Sequence, residues 1–245
     1  MPRFSGTEGL REITVPIALE HRRVGDIAVV TCTGRLVEGT EATELRQLLD
    51  HLLEYGTSLL LDVTQMDFID SAGLGLLVRY GTRARNGHGS MKLCGASPKL
   101  IALLKATRLE QVLDAYGSES EGIRAFYERP RADAGTSRRG TDILCVVESS
   151  DVQALVREVL GANRYGVLTA GNLPDALILL QATQPKLIVV SSELRRTQGT
   201  HTAEKFNRLL DALAVVELPP DFGSRDADDS ARMLLERIRA HIAPS

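Results

Sequence analysis

From Thr40 to Tyr55, apolar residues recur at Ala42, Leu45, Leu48, Leu49, Leu52 and Leu53, the three-and-four spacing of a helix that buries one face. S-L-L-L-D-V, residues 58–63, shows no alternation, the pattern of a central strand covered on both sides. In D-F-I-D-S-A-G-L-G-L-L, residues 67–77, an apolar run becomes helical, and Leu74, Leu77, Val78 and Gly81 share one face of that helix. Upstream, I-T-V-P-I-A-L and I-A-V-V-T-C-T read as neighbouring strands joined by V-G-D. Downstream come a strand at M-K-L-C-G, a helix at S-P-K-L-I-A-L-L-K with Pro98 in its first turn, a short strand at Q-V-L-D-A-Y and a closing helix at S-E-S-E-G-I-R-A-F-Y. These elements predict a mixed sheet with helices mainly on one face.

The pattern stops at Glu128–Gly140, E-R-P-R-A-D-A-G-T-S-R-R-G, which reads as a linker whose Arg129, Arg131, Arg138 and Arg139 keep it solvated. Beyond it, I-L-C-V-V-E, Y-G-V-L-T-A and L-I-V-V-S-S alternate with helical segments in which Val152, Leu155, Val156 and Val159, then Leu173, Ala176, Leu177 and Leu180, keep register. That rhythm predicts a doubly wound parallel sheet. A helical A-E-K-F-N-R-L-L, a strand at L-A-V-V-E-L, a long loop over 218–230 and a last helix with Leu234, Ile238 and Ile242 follow. The expected fold class is therefore α/β in two domains, 8–127 and 141–243, with the linker at 128–140.

Composition narrows the function classes. With 245 residues and 43% hydrophobic content the chain can build two ordinary cores. A net charge of −3 gives no basic surface for nucleic acid and no polybasic segment for membrane. Cys32, Cys94 and Cys145 lie in or beside apolar runs, as small core residues in a reducing cytoplasm do. His21, His51, His88, His201 and His241 show no metal spacing, so neither a metal nor a cofactor is expected. M-P-R-F-S-G-T-E lacks the apolar core of a signal peptide, and no run reaches about 18 apolar residues, so a soluble, cytoplasmic protein is expected.

Candidate chemistry concentrates in D-S-A-G-L-G. Asp70 or Ser71 can cap the helix by accepting from its unpaired amides. A cap does not explain Gly73 and Gly75, each costing roughly 1 kcal/mol against Ala inside a helix, and together they suggest a first turn kept bare for close approach. A hydrolase elbow needs G-x-S-x-G, but Ile69 stands two before Ser71. A dinucleotide loop needs G-x-G-x-x-G, but Val78 stands three after Gly75, and no G-x-x-x-x-G-K-[ST] occurs. With no histidine partnering the serine, phosphoacceptor is the role that remains. A phosphoserine there brings about −1.5 to −2 of charge to the positive end of the helix dipole, tolerable to the fold and repulsive to a docked partner.

On these residues the first half resembles the STAS domains of bacterial anti-sigma factor antagonists. D-S-A-G-L-G after an apolar strand, V-V-T-C-T-G-R-L, M-K-L-C-G-A-S-P-K-L-I-A-L-L and T-R-L-E-Q-V-L-D-A-Y followed by E-G-I-R-A-F match that family's motifs in order and spacing. The resemblance implies a non-enzymatic partner switch in signal transduction and transcription regulation. Unphosphorylated, it binds an anti-sigma factor or switch-type serine kinase, and phosphorylation of Ser71 releases that partner. Asp70, Ser71, Ala72, Gly73, Gly75 and Glu38 would form the contact surface. The acid usual after G-x-[LI] is replaced by Val37, leaving Glu38 or Glu41 to supply the charge. Two rivals are a scaffold of a larger assembly tuned at Ser71, and an enzyme using Ser71 as nucleophile.

The second half resembles a response-regulator receiver with its functional positions altered. Glu148 and Ser149 stand for the acid pair, Ser191 for the phosphorylated Asp, and Leu218-Pro219 for the Lys-Pro after strand five. Such a pseudo-receiver implies dimerisation or partner binding, including a homodimer through either domain, rather than phosphotransfer.

Overall fold

The computed structural model describes residues 16–54, 58–87, 89–128 and 142–241. The expected linker from residue 129 onward, its arginines, His88, Ile242 and the ends of both expected domains lie outside them.

β1 (Ala18–Val24) and β2 (Ile27–Leu36) form an antiparallel hairpin, and β3 (Ser58–Asp62), β5 (Met91–Cys94) and β6 (Asp114–Tyr116) extend it in parallel in the order β1-β2-β3-β5-β6. β4 (Met66–Ile69) pairs with the far end of β2, from Gly34 to Leu36. Of the expected I-T-V-P-I-A-L, residues 13–15 lie outside the described residues; the described strand runs from Ala18 through E-H-R-R-V, whose polar residues an edge strand tolerates. The strand β4, just ahead of the serine motif, is short, with Asp67 and Phe68 exposed.

Helices α1 (Thr40–Glu54) and α2 (Ser71–Asn86) cover one face, over a core that includes Leu45, Leu49, Leu59, Leu61, Leu77, Tyr80 and Leu93. α3 (Pro98–Ala106) adds Leu100 and Leu104 to that layer. On β3, Leu59 and Leu61 point into this core while Leu60 points into the other, which is why S-L-L-L carries no polar position. α4 (Glu119–Glu128) lies on the opposite face, where Gly122 lets it sit on Leu60: a Cβ there would fall 2.7 Å from Leu60 Cδ1.

The later residues form a parallel four-stranded sheet in the order β10-β9-β7-β8, from β7 (Ile143–Val146), β8 (Val167–Ala170), β9 (Leu187–Ser191) and β10 (Ala214–Leu218). α5 (Ser150–Ala162) and α9 (Ala227–Arg239) cover one face; α6 (Leu173–Thr183), α7 (Ser192–Arg196) and α8 (His201–Leu210) cover the other. The expected loop over 218–230 is shorter than anticipated, because Asp226 caps α9 and starts it at Ala227.

The two sheets share an apolar cluster. Val24, Val29, Leu60, Cys94, Ile123 and Phe126 of the first pack together with Leu144, Leu168, Leu177, Leu180 and Phe206 of the second. The β1–β2 turn enters this contact: Gly25 N–H donates to Thr169 O at 2.9 Å. Gly25 has a φ of +61°, and a Cβ on it would stand 2.4 Å from Tyr127 Oη and 3.3 Å from Leu168 and Leu179. Arg22 joins the halves in polar fashion, donating to Glu119 at 2.5 and 3.2 Å and to the buried Asp175 at 3.1 Å. Asp175 is oriented by Asn172, the N-cap of α6, through reciprocal 2.9 Å hydrogen bonds. The stripe Leu173, Leu177, Leu180 thus belongs to this shared core.

Candidate functional site

The serine motif sits where β4 turns into α2. Asp70, in extended conformation, is the N-cap: its Oδ1 accepts from Gly73 N–H at 2.7 Å and its Oδ2 from Glu38 N–H at 3.0 Å. One carboxylate thereby closes the helix and ties down the β2–α1 loop. These backbone donors, the Gly73 amide first, hold the Asp70 pKa below its ordinary value. The choice between Asp70 and Ser71 as cap is resolved for Asp70. Ser71 is the first residue of α2 and exposed, and among the described residues its hydroxyl makes no hydrogen bond.

The two glycines do different work, which corrects the expectation that both bare the first turn. Gly73 is buried: a Cβ would lie 2.6 Å from Leu36 O and 2.8 Å from Leu36 Cγ, so glycine is there to let α2 meet the end of β2. Gly75 is exposed and a Cβ would meet nothing within 4 Å. Among the described residues, no packing accounts for glycine at 75.

Gly75, Ala72, Leu76 and Arg79 of α2 face Glu38, Gly39, Ala42, Thr43 and Arg46 across a groove of about 430 Å³. Tyr80 fixes the two helices, its hydroxyl donating to Asp50 Oδ1 at 2.7 Å and Arg46 O at 3.3 Å. The structure therefore gathers Glu38, Asp70, Ser71, Ala72 and Gly75 at one end of the α1–α2 layer. Glu41, in the first turn of α1, lies beside Gly39 at the same end. Sequence reasoning missed Arg46 and Arg79; the signal was Arg79 recurring at the four-residue spacing that Ser71 and Gly75 begin.

In the second sheet, Ser191 Oγ donates to Glu148 Oε2 at 2.9 Å and caps α7 by accepting from Leu194 N–H at 3.2 Å. The two meet near the carboxyl ends of β9 and β7. Ser149 instead caps α5, accepting from Val152 N–H. Leu218 pairs with Ser191 and ends the strand beside β9. Pro219 follows β10 directly, and among the described residues this sheet has four strands. No group of three or more acidic, cysteine or histidine side chains fit to hold a metal occurs among the described residues. The three cysteines are free and buried, and burial pushes each thiol up to about 12. No helix among the described residues is long and apolar enough to cross a membrane.

Comparison with known proteins places this geometry. Residues 18–122 match the STAS domain model. The anti-sigma-B factor antagonist of Bacillus subtilis (strain 168) is 31% identical over 83 residues, covering 34% of this chain and 76% of that protein. Among solved structures, an anti-sigma factor antagonist from Mycobacterium paratuberculosis is similar at 19% identity and a TM-score of 0.41, over 44% of this chain and 92% of its own. The Bacillus cell fate determinant SpoIIAA in its phosphorylated form is similar at 19% identity and a TM-score of 0.39, over 44% and 99%. With 31% identity over 83 residues that cover three quarters of an antagonist, and the motif serine set outward next to the capping Asp70, the chain belongs through residues 18–122 to the STAS family of anti-sigma factor antagonists, which are binding and regulatory proteins rather than enzymes.

Proposed function

We propose that the chain is a phosphoswitch of the anti-sigma factor antagonist type. With Ser71 unmodified it binds an anti-sigma factor or a switch-type serine kinase through Glu38, Asp70, Ser71, Ala72 and Gly75. Phosphate on Ser71 releases that partner. The observation that carries this reading is the division of labour at 70 and 71: Asp70 is committed to the helix cap, while the Ser71 hydroxyl is exposed at the first helical position. Phosphate added there meets the positive end of the helix dipole, so the fold survives a change that an acidic or apolar partner surface does not.

Residues 8–127 form the switch in this reading, and residues 141–243 form a pseudo-receiver joined by the linker at 128–140. The order β10-β9-β7-β8, with α5 and α9 on one face and α6, α7 and α8 on the other, supports a receiver-type winding shortened by one strand. Ser191 in place of an acid, bonded to Glu148, supports loss of phosphotransfer. The second unit then contributes packing and partner surface in a bacterial, cytoplasmic signalling protein.

The test is incubation of the full chain with its cognate serine kinase and ATP, followed by intact-mass analysis and co-elution with the anti-sigma factor. One phosphate on the native chain, none on Ser71→Ala, and loss of a stoichiometric complex on phosphorylation are expected. A multimer that persists after phosphorylation would establish the scaffold instead, and labelling of Ser71 by a fluorophosphonate would establish a nucleophile.

A further inference from the structure

The groove between α1 and α2 has a polarity that the serine motif does not explain. Ser71, Gly75 and Arg79 follow one another at four-residue spacing along one face of α2, so Arg79 lies about 12 Å along the helix from Ser71. Arg46 stands across from it on α1, and both residues line the groove with Gly75 between Arg79 and the serine along α2. Both arginines are exposed, and among the described residues neither forms an ion pair, whereas the neighbouring Arg83 is engaged with Asp50. Arg79 rests over the Tyr80 ring, 5.3 Å from its centroid. Glu38 is the one acid lining the groove, and it stands at the Ser71 end. The volume of about 430 Å³ is of the size that accepts a few side chains.

We propose that this groove is the docking channel for an acidic segment of the protein partner. The segment enters at Ser71, passes over the bare backbone of Gly75 and places a carboxylate between Arg46 and Arg79. Two arginines lining one channel, neither in an ion pair among the described residues, favour a carboxylate through paired N–H donors. Glycine at 75 gives the segment room where any Cβ would narrow the channel, and it is the one position in the motif whose lack of a side chain serves nothing within the chain. The proposal rests on the switch reading for the identity of the partner, and it adds the chemistry of that partner and the path it takes.

The full chain, labelled with nitrogen-15, is titrated with a short capped peptide of alternating Glu and Ala and, separately, with its Lys and Ala counterpart. The expected result is movement of the Gly39, Thr43, Gly75 and Arg79 amides with the Glu peptide alone. Arg46→Glu with Arg79→Glu weakens binding about tenfold, equivalent to about 1.4 kcal/mol. Gly75→Leu, which fills the channel without touching either charge, abolishes the same shifts. Equal response to the Lys peptide, no movement of these amides, or unchanged affinity in the double charge reversal overturns the assignment. Phosphorylation of Ser71 is read separately by intact mass, so the groove can fail while the switch stands, and the reverse.

Discussion

Exchanging each motif glycine for alanine separates packing from contact at two positions two residues apart. At Gly75 an added methyl meets no atom within 4 Å, and the exchange removes a helix-propensity cost of about 0.8–1 kcal/mol. Gly75→Ala is therefore expected to stabilise the chain by roughly 0.5–1 kcal/mol, raising Tm by about 2–4 °C per kcal/mol for a chain of this size. At Gly73 the methyl would sit 2.6 Å from Leu36 O, a backbone atom of β2 that cannot step aside without moving the strand. Overpacking of that kind costs about 1–3 kcal/mol, and the smaller propensity gain in a first turn offsets only part of it. Gly73→Ala should thus destabilise by about 1–2 kcal/mol. Urea unfolding followed by circular dichroism reads both, as shifts of the midpoint in opposite directions at unchanged slope. Parallel shifts, or a destabilised Gly75→Ala, would refute the assignment of one glycine to the fold and the other to the partner. The stabilised variant should also bind the anti-sigma factor more weakly than the native chain.

Other outcomes follow from the same contacts. Asp70→Ala removes the cap of α2 and should cost about 1 kcal/mol, measured by the same unfolding curves. The Asp70 pKa is depressed in the fold, so the cap contributes fully above its ordinary 3.8 and is lost as pH falls through the lower folded value; native but not Asp70→Ala protein should show this loss below about pH 4. Arg22→Ala strands the buried Asp175 carboxylate; because the Arg22 side chain is 40% exposed, a loss of about 1–2 kcal/mol is expected rather than the 3–5 of a fully buried pair, seen as a lower Tm. Cys32, Cys94 and Cys145 should be silent to a thiol reagent at pH 8 and react together on unfolding. Magnesium with beryllofluoride should leave the amides around Glu148 and Ser191 unmoved, and a saturable shift there would contradict the pseudo-receiver reading.

Strand and helix positions were legible wherever burial is one-sided or complete. The α1 stripe and the continuous apolar runs of β3 and β7 correspond to elements covered as those patterns imply. The run of β1 through E-H-R-R was not legible because those polar residues lie on an edge strand, where hydrophobicity is a poor guide. The serine and its capping neighbour were legible because capping chemistry is local. The glycines were not, since whether a missing side chain serves packing or access depends on Leu36, a residue distant in sequence. Arg46 escaped notice for the same reason: on α1 alone it is an ordinary solvated cation, and only the fold sets it in a groove with Arg79. The contact between the two halves was also invisible, because V-G-D at 24–26 reads equally well as a free hairpin turn.

That contact limits how such a chain can be recombined. Val29, Leu60, Cys94 and Phe126 rest against Leu168, Leu177 and Phe206, so a breakpoint between residues 128 and 142 would leave both fragments with an uncovered oily wall. Descendants carrying either piece alone would have to repaint that wall with polar residues before becoming soluble. Neither unit can be parted from the other without baring that wall, and Gly25, Arg22 and Asp175 hold the same seam with hydrogen bonds and an ion pair.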